Sequence, residues 1–183
     1  SARYSFDVYA GASEQWLREH HQDPFFMYLA YTIPHKVFEV PDLAPYTDLD
    51  WPKDPKIYAA MITRMDTAIG RILDMLDEFD CAENTLIFFT SDNGYSMEGA
   101  TENPTLDEFF DHRGPYRGTK GTLLQGGVRV PTIARWPAAI EPGTESDLPW
   151  AYYDFLPTAA EVAGAECPRT DGISIAPEMT GQG

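Results

Sequence analysis

The sequence predicts an α/β fold, a mixed and largely parallel sheet with helices on both faces, and three observations carry that prediction. Two runs, residues 24–31 (PFFMYLAY) and 85–91 (TLIFFTS), are apolar at nearly every position, the pattern of strands covered on both sides. A long segment between them repeats apolar residues at helical spacing. The order strand, loop, helix, strand favours a sheet with helices packed on it. At 183 residues, 43% of them hydrophobic, the chain suits one domain and can bury a real core.

Residues 6–20 place Val8, Ala12 and Trp16/Leu17 at helical intervals, and Asp23-Pro24 then opens the first strand. Residues 34–55 hold five prolines and several acids without periodicity, so they read as a long loop, a kind of segment that often carries function. Asp54-Pro55 supplies an N-cap and a first-turn proline for a helix with Ile57, Met61, Met65, Ala68/Ile69, Ile72, Leu76 and Phe79 on one face. Met61, Met65 and Met75 read as core filler rather than a cofactor box, because an unbranched thioether adapts to irregular gaps. After DCAEN comes the strand 85–91, and residues 95–111 are polar and turn-rich. Residues 128–136 (VRVPTIARW) form a further strand that Pro131 places near an edge. Residues 150–153 are another strand candidate, residues 154–163 (DFLPTAAEVA) a helix stopped by Gly164, and the tail from 172 onward is mostly loop.

Thirteen basic against twenty-nine acidic residues leave a formal charge of −16, which disfavours nucleic acid and anionic membrane as partners unless positive charge is concentrated somewhere. No apolar run approaches the roughly 20 residues of a membrane span, and SARYSFDVYAG lacks the basic start and apolar centre of a signal peptide. Cys81 and Cys167 are too few for a disulfide framework or a zinc site and read as unpaired packing thiols.

Three stretches carry chemistry. The strand 85–91 ends in Asp92, Asn93 and Gly94. In open α/β sheets ligands gather beyond the carboxyl ends of strands, and a carboxylate beside an amide oxygen suits Ca²⁺ or Mg²⁺. Ser-Asp-Asn-Gly also serves as a plain strand-ending turn, and two ligands fall short of the roughly 6–8 oxygens around Ca²⁺. The second stretch, residues 112–131 (HRGPYRGTKGTLLQGGVRVP), opens a run to residue 140 without Asp or Glu that holds Arg113, Arg117, Lys120, Arg129 and Arg135. This positive island, with glycines at 114, 118, 121, 126 and 127 to let its backbone approach a ligand, suits an anion: phosphate, sulfate or carboxylate. Lys120 is free to deliver a point charge, and Arg117 or Arg113 to fork onto an oxyanion. The bland alternative is a solvated loop. The third stretch is Ile33-Pro-His-Lys36, where Pro34 stiffens the chain that delivers His35. An imidazole there protonates a leaving group or holds an oxyanion, or else is an ordinary loop histidine. His20 and His21 read as a solvated helix end.

Together these stretches resemble the sulfatase family of the alkaline phosphatase superfamily, in the order FFMYLAYTIPH, YAAMITRMDTAIGRILDML, TLIFFTSDNG, GPYRGTKGTLLQGGVRVP and DFLPTAAEVAGAECPRTDGISIAPEMTG. The resemblance implies an alkaline-phosphatase-like fold, with Asp92 and Asn93 as calcium ligands, Lys120 contacting the sulfate ester and His35 beside it. Gln125 stands where the family often has Glu, and Val37 where it has proline, which touches only loop packing. The larger departure is the C/S-x-P-x-R motif that yields the formylglycine nucleophile: Cys81 is followed by AENT, and Cys167-Pro168-Arg169 has the wrong spacing.

The expectation is therefore that residues 1–183 are a single partial catalytic domain, without the N-terminal segment that carries the formylglycine and the remaining calcium ligands. The isolated chain is then inactive. Its parent hydrolyses aryl or carbohydrate sulfates, and exposed sheet edges give the piece a tendency to self-associate. Enzymes of this kind are often periplasmic or secreted, but the residues themselves fix no compartment. A phosphodiesterase or phosphonate hydrolase of the same superfamily, or a non-catalytic anion-binding module, is the alternative.

Overall fold

A computed structural model of the chain describes residues 3–96, 106–111 and 114–183. They fall into two compact units, Ser1–Cys81 with Thr90–Pro131, and Ala82–Phe89 with Thr132–Gly183.

In the first unit, α1 (Ser5–His20) packs on α2 (Lys53–Glu78). Phe6, Ala10, Ile33, Ile57, Met61 and Ala68 form the core between them. The apolar stripe of α2 faces that core because residues three and four apart share one helical face. Met61 and Met75 are buried, as filler residues should be. The helix starts two residues before the sequence signal: Pro52, not Asp54, is the N-cap, and Asp54 and Pro55 both lie buried in the first turn. Its end is set by Asp80, whose φ of 55° turns the chain left-handed, a conformation Asp tolerates better than most residues. Arg64 forks onto Asp7 at 2.6 and 2.7 Å, and Arg71 reaches Glu14 at 2.6 Å, fixing α1 against α2 at the surface. At the end of α1, His20 stacks on Trp16 and His21 on Phe79, so these histidines cover apolar rings rather than simply pointing into solvent.

Residues 24–31 are not in a paired strand. Burial nevertheless alternates from Phe25 to Ile33, the period of extended backbone, with Phe26 and Tyr28 on the open face at 69% and 82% exposure. The expected two-sided burial is therefore corrected to one side, since among the described residues no strand pairs with this segment. The long loop 34–55 is ordered by aromatic packing. Trp51 stacks on Tyr46 and meets Phe109 and Phe110 edge-on, while Tyr58 of α2 touches Phe38 and Phe110. Phe109 and Phe110 belong to α3 (Leu106–Phe110), a helix in the stretch expected to be only turns.

The second unit holds β1 (Ile87–Thr90) up to Phe89, paired with β2 (Thr132–Arg135), a two-stranded sheet among the described residues. The second strand is shorter than predicted because Val128 ends a short helix, α4 (Gln125–Val128) of the first unit, and Pro131 has no N–H to pair. Residues 150–153 are not a strand either. A 3-10 turn (Tyr152–Asp154) leads instead into α5 (Phe155–Val162), and Gly164 stops that helix with φ 62°. The cause is the buried Asp154 carboxylate, which accepts N–H groups of Ala151 at 2.8 Å and Ile173 at 2.9 Å and so pulls the tail onto the turn. Thr158 adds a second tie, donating to the Asp154 carbonyl at 2.6 Å and accepting from the Ile175 N–H at 3.0 Å. The tail closes with one further turn of helix, α6 (Ala176–Met179). No disulfide joins Cys81 and Cys167. Among the described residues no helix is long and apolar enough to cross a membrane.

Candidate active site

The site elements all lie in the first unit, and backbone contacts set their geometry. After β1 the chain turns through Asp92, Asn93 and Gly94, with Ser91 Oγ donating to the Asn93 carbonyl at 3.1 Å. The Gly94 N–H donates to Gly127 O at 3.0 Å, and the Lys120 N–H to Tyr95 O at 2.6 Å. Within the glycine-rich loop the Gly126 N–H donates to Arg117 O at 2.8 Å. A side chain at Gly94 would strike the Gly126 carbonyl, one at Gly126 the Gly118 carbonyl, and one at Gly127 the Thr122 carbonyl. These glycines are needed where backbone meets backbone. This corrects the expectation for Gly126 and Gly127, which make room for neighbouring chain rather than for a ligand. Gly114 and Gly121 lie in open space with φ of 58° and 87° and serve as turn residues.

The stitched platform carries Lys120. Its Nζ lies 3.2 Å from Nε2 of His35, a residue 85 positions away, and Nδ1 of His35 lies 2.9 Å from the Lys36 carbonyl oxygen. His35 is exposed and Lys120 half-buried, so the pair sits at the surface, open to a ligand. Lys120 is tied through its backbone to the residue after Gly94, which places its loop against the Asp92–Asn93 turn. Among the described residues no hydrogen bond joins the side chains of Asp92 or Asn93 to Lys120 or His35.

Arg117 is exposed on the same loop, and Arg129 lies over the Tyr116 ring, 4.9 Å from its centroid. Arg135 belongs to β2 of the other unit. His112 and Arg113 lie outside the described residues. The donor set of Asp92 and Asn93, one carboxylate and one amide, fits a hard oxygen-seeking cation. It is also partial, because no group of three or more His, Cys, Asp and Glu side chains among the described residues could hold a metal. The space of about 210 Å³ between α1 and α2 is lined by Asp7, Arg64 and Arg71, whose charges are already paired. Sequence reasoning singled out Asp92, Asn93, Lys120 and His35, but not Tyr95 or the Gly94–Gly127 bond, since a glycine does not announce which backbone approaches it.

The chain matches the family model Sulfatase over residues 2–165. It belongs to the sulfatase family. The steryl-sulfatase of Rattus norvegicus is 34% identical over 176 residues, covering 94% of this chain and 29% of that protein. The crystal structure of Ps i-CgsB in complex with k-i-k-neocarrahexaose matches all of this chain and 40% of its own at 29% identity and TM-score 0.83. A phosphonate monoester hydrolase from Silicibacter pomeroyi matches 76% of this chain and 26% of its own at 26% identity and TM-score 0.52. This sulfatase chain thus has the α/β, alkaline-phosphatase-like fold as a partial domain, and it spans under a third of the length of the rat relative. Among the described residues its sheet has two strands.

Proposed function

We propose that the protein containing these residues hydrolyses sulfate esters, with Lys120 contacting the sulfate group, His35 beside it and Arg117 at the rim of the anion site. The observation that carries this reading is the 3.2 Å contact between Lys120 Nζ and His35 Nε2 in a chain of the sulfatase family. An ammonium held against an imidazole at an exposed surface offers N–H groups to oxygens whose negative charge grows as the ester bond breaks, and donors already in position need no reorganisation during the reaction. Asp92 and Asn93 would supply two of the oxygens around Ca²⁺, which polarises the sulfate oxygens when bound. The nucleophile is a formylglycine outside these residues, for the motif from which it forms does not occur in them. The chain alone is then inactive, because the reaction has lost its covalent step.

The substrate is an aryl or carbohydrate sulfate. The neocarrahexaose bound to Ps i-CgsB supports the carbohydrate class, and the likeness to a steryl-sulfatase supports a ring alcohol as leaving group. Among the described residues no paired strand covers the open face that carries Phe26 and Tyr28, which supports self-association of the isolated chain along residues 24–32. The likeness to a phosphonate monoester hydrolase favours a second reading, hydrolysis of phosphonate or phosphate esters. Parallel turnover of aryl sulfate, aryl phosphate and aryl phosphonate esters by the intact protein separates the two. The sulfatase reading requires the highest kcat/KM on the sulfate, and a phosphorus ester turned over faster would remove it.

A further inference from the structure

We infer that His35 is held as the neutral tautomer protonated on Nδ1, and that it positions the Lys120 ammonium, the group that donates to the ester oxygens. The role assigned to Lys120 rests on the sulfatase reading, whereas the tautomer does not. Two hydrogen bonds carry the inference: Nδ1 to the Lys36 carbonyl at 2.9 Å and Nε2 to Lys120 Nζ at 3.2 Å. A carbonyl oxygen has no proton to give, so Nδ1 is the donor. An ammonium has three N–H bonds and no lone pair, so Nε2 is the acceptor. An imidazolium, a donor at both nitrogens, does not fit between these two partners.

The imidazole is therefore a bracket between a backbone carbonyl and a lysine. A lysine side chain is a flexible stem bearing a compact charge, and without a tether it samples many positions. Lys120 is tethered at both ends, by its N–H on Tyr95 O at 2.6 Å and by its Nζ on His35. One ammonium N–H is used at Nε2, and two remain for an oxyanion. Donation from Nε2 to a leaving oxygen would require His35 first to gain a proton and break from Lys120, while Lys120 already holds donors in place.

Selective ¹⁵N-histidine labelling of the intact protein reads the proton position directly, with the signal lost in His35→Gln identifying His35. The expected spectrum has a protonated Nδ1 and a bare Nε2. A protonated Nε2, protons on both nitrogens, or an average of the two tautomers overturns the inference. In the intact protein, His35→Gln keeps an acceptor oxygen near the position of Nε2, so its kcat/KM on aryl sulfates falls less than that of His35→Ala. The alanine variant loses about 10- to 100-fold, the scale of a hydrogen bond to a charged group. Both losses stay the same for good and poor leaving groups. Equal losses in the two variants that deepen as the leaving group worsens make His35 the acid and overturn the positioning role. Absence of any sulfate-ester turnover would remove the sulfatase reading, and the labelled intact protein would still decide the tautomer.

Discussion

Gly126 has no side chain, and a Cβ there would strike the carbonyl oxygen of Gly118. Gly126→Ala must therefore push apart two strands of backbone that a hydrogen bond, Gly126 N–H to Arg117 O at 2.8 Å, holds together. Overpacking of this kind costs about 1–3 kcal/mol. Urea unfolding should show that loss, whereas Gly121→Ala, in open space but with φ 87°, should show the smaller cost of a strained φ alone. A Gly126→Ala protein as stable as the original would mean that the loop is not clamped. At this scale the sequence was legible for chemistry and silent on contact. Lys120 and His35 stood out by charge and by the proline before the histidine, yet nothing in either stretch says that a residue at 35 meets one at 120. That pairing comes from the packing of the whole first unit.

The α1–α2 pair shows which force dominates an element. Phe6 is 1% exposed in the core, so Phe6→Ala should cost about 3–5 kcal/mol through lost burial and the cavity left behind. Arg64 makes a two-pronged ion pair with Asp7, but at the surface, where water and salt screen it. Arg64→Met should cost about 1 kcal/mol or less, with the difference vanishing in high salt. Urea denaturation of both variants at low and high ionic strength checks the ranking, and an Arg64 effect as large as that of Phe6 would reverse it. Elements made by local spacing, α1, α2 and α5, were legible because helical hydrogen bonds are internal to the segment. Residues 24–31 were read as a buried strand, whereas the chain there keeps a strand's alternating burial without a paired neighbour, since a strand's hydrogen bonds depend on neighbours its own residues do not name. Replacing Phe26 and Tyr28 with Lys places charge on that open face. Sedimentation should then show less self-association than the unsubstituted chain, and an unchanged profile would locate the association elsewhere.

Across the whole molecule, charge is distributed rather than merely abundant. A chain of −16 keeps residues 112–140 free of Asp and Glu, and the described part of that stretch places Arg117 and Lys120 on one loop. Such a patch attracts an oxyanion to a protein that repels anions elsewhere. Family and fold class were legible because five motifs occur in one order. The extent of the sheet was not, because strand pairing depends on neighbours that a strand's own residues do not name. The central claim is that Lys120 works against the sulfate ester with His35 behind it. The most direct test is Lys120→Met in the intact protein, assayed on an aryl sulfate beside the unsubstituted enzyme. The account predicts a fall in kcat/KM of about 10²- to 10³-fold, the scale of removing one preorganised donor from a developing oxyanion. A fall of less than about threefold, too little for a lost hydrogen bond to a charged group, would contradict it.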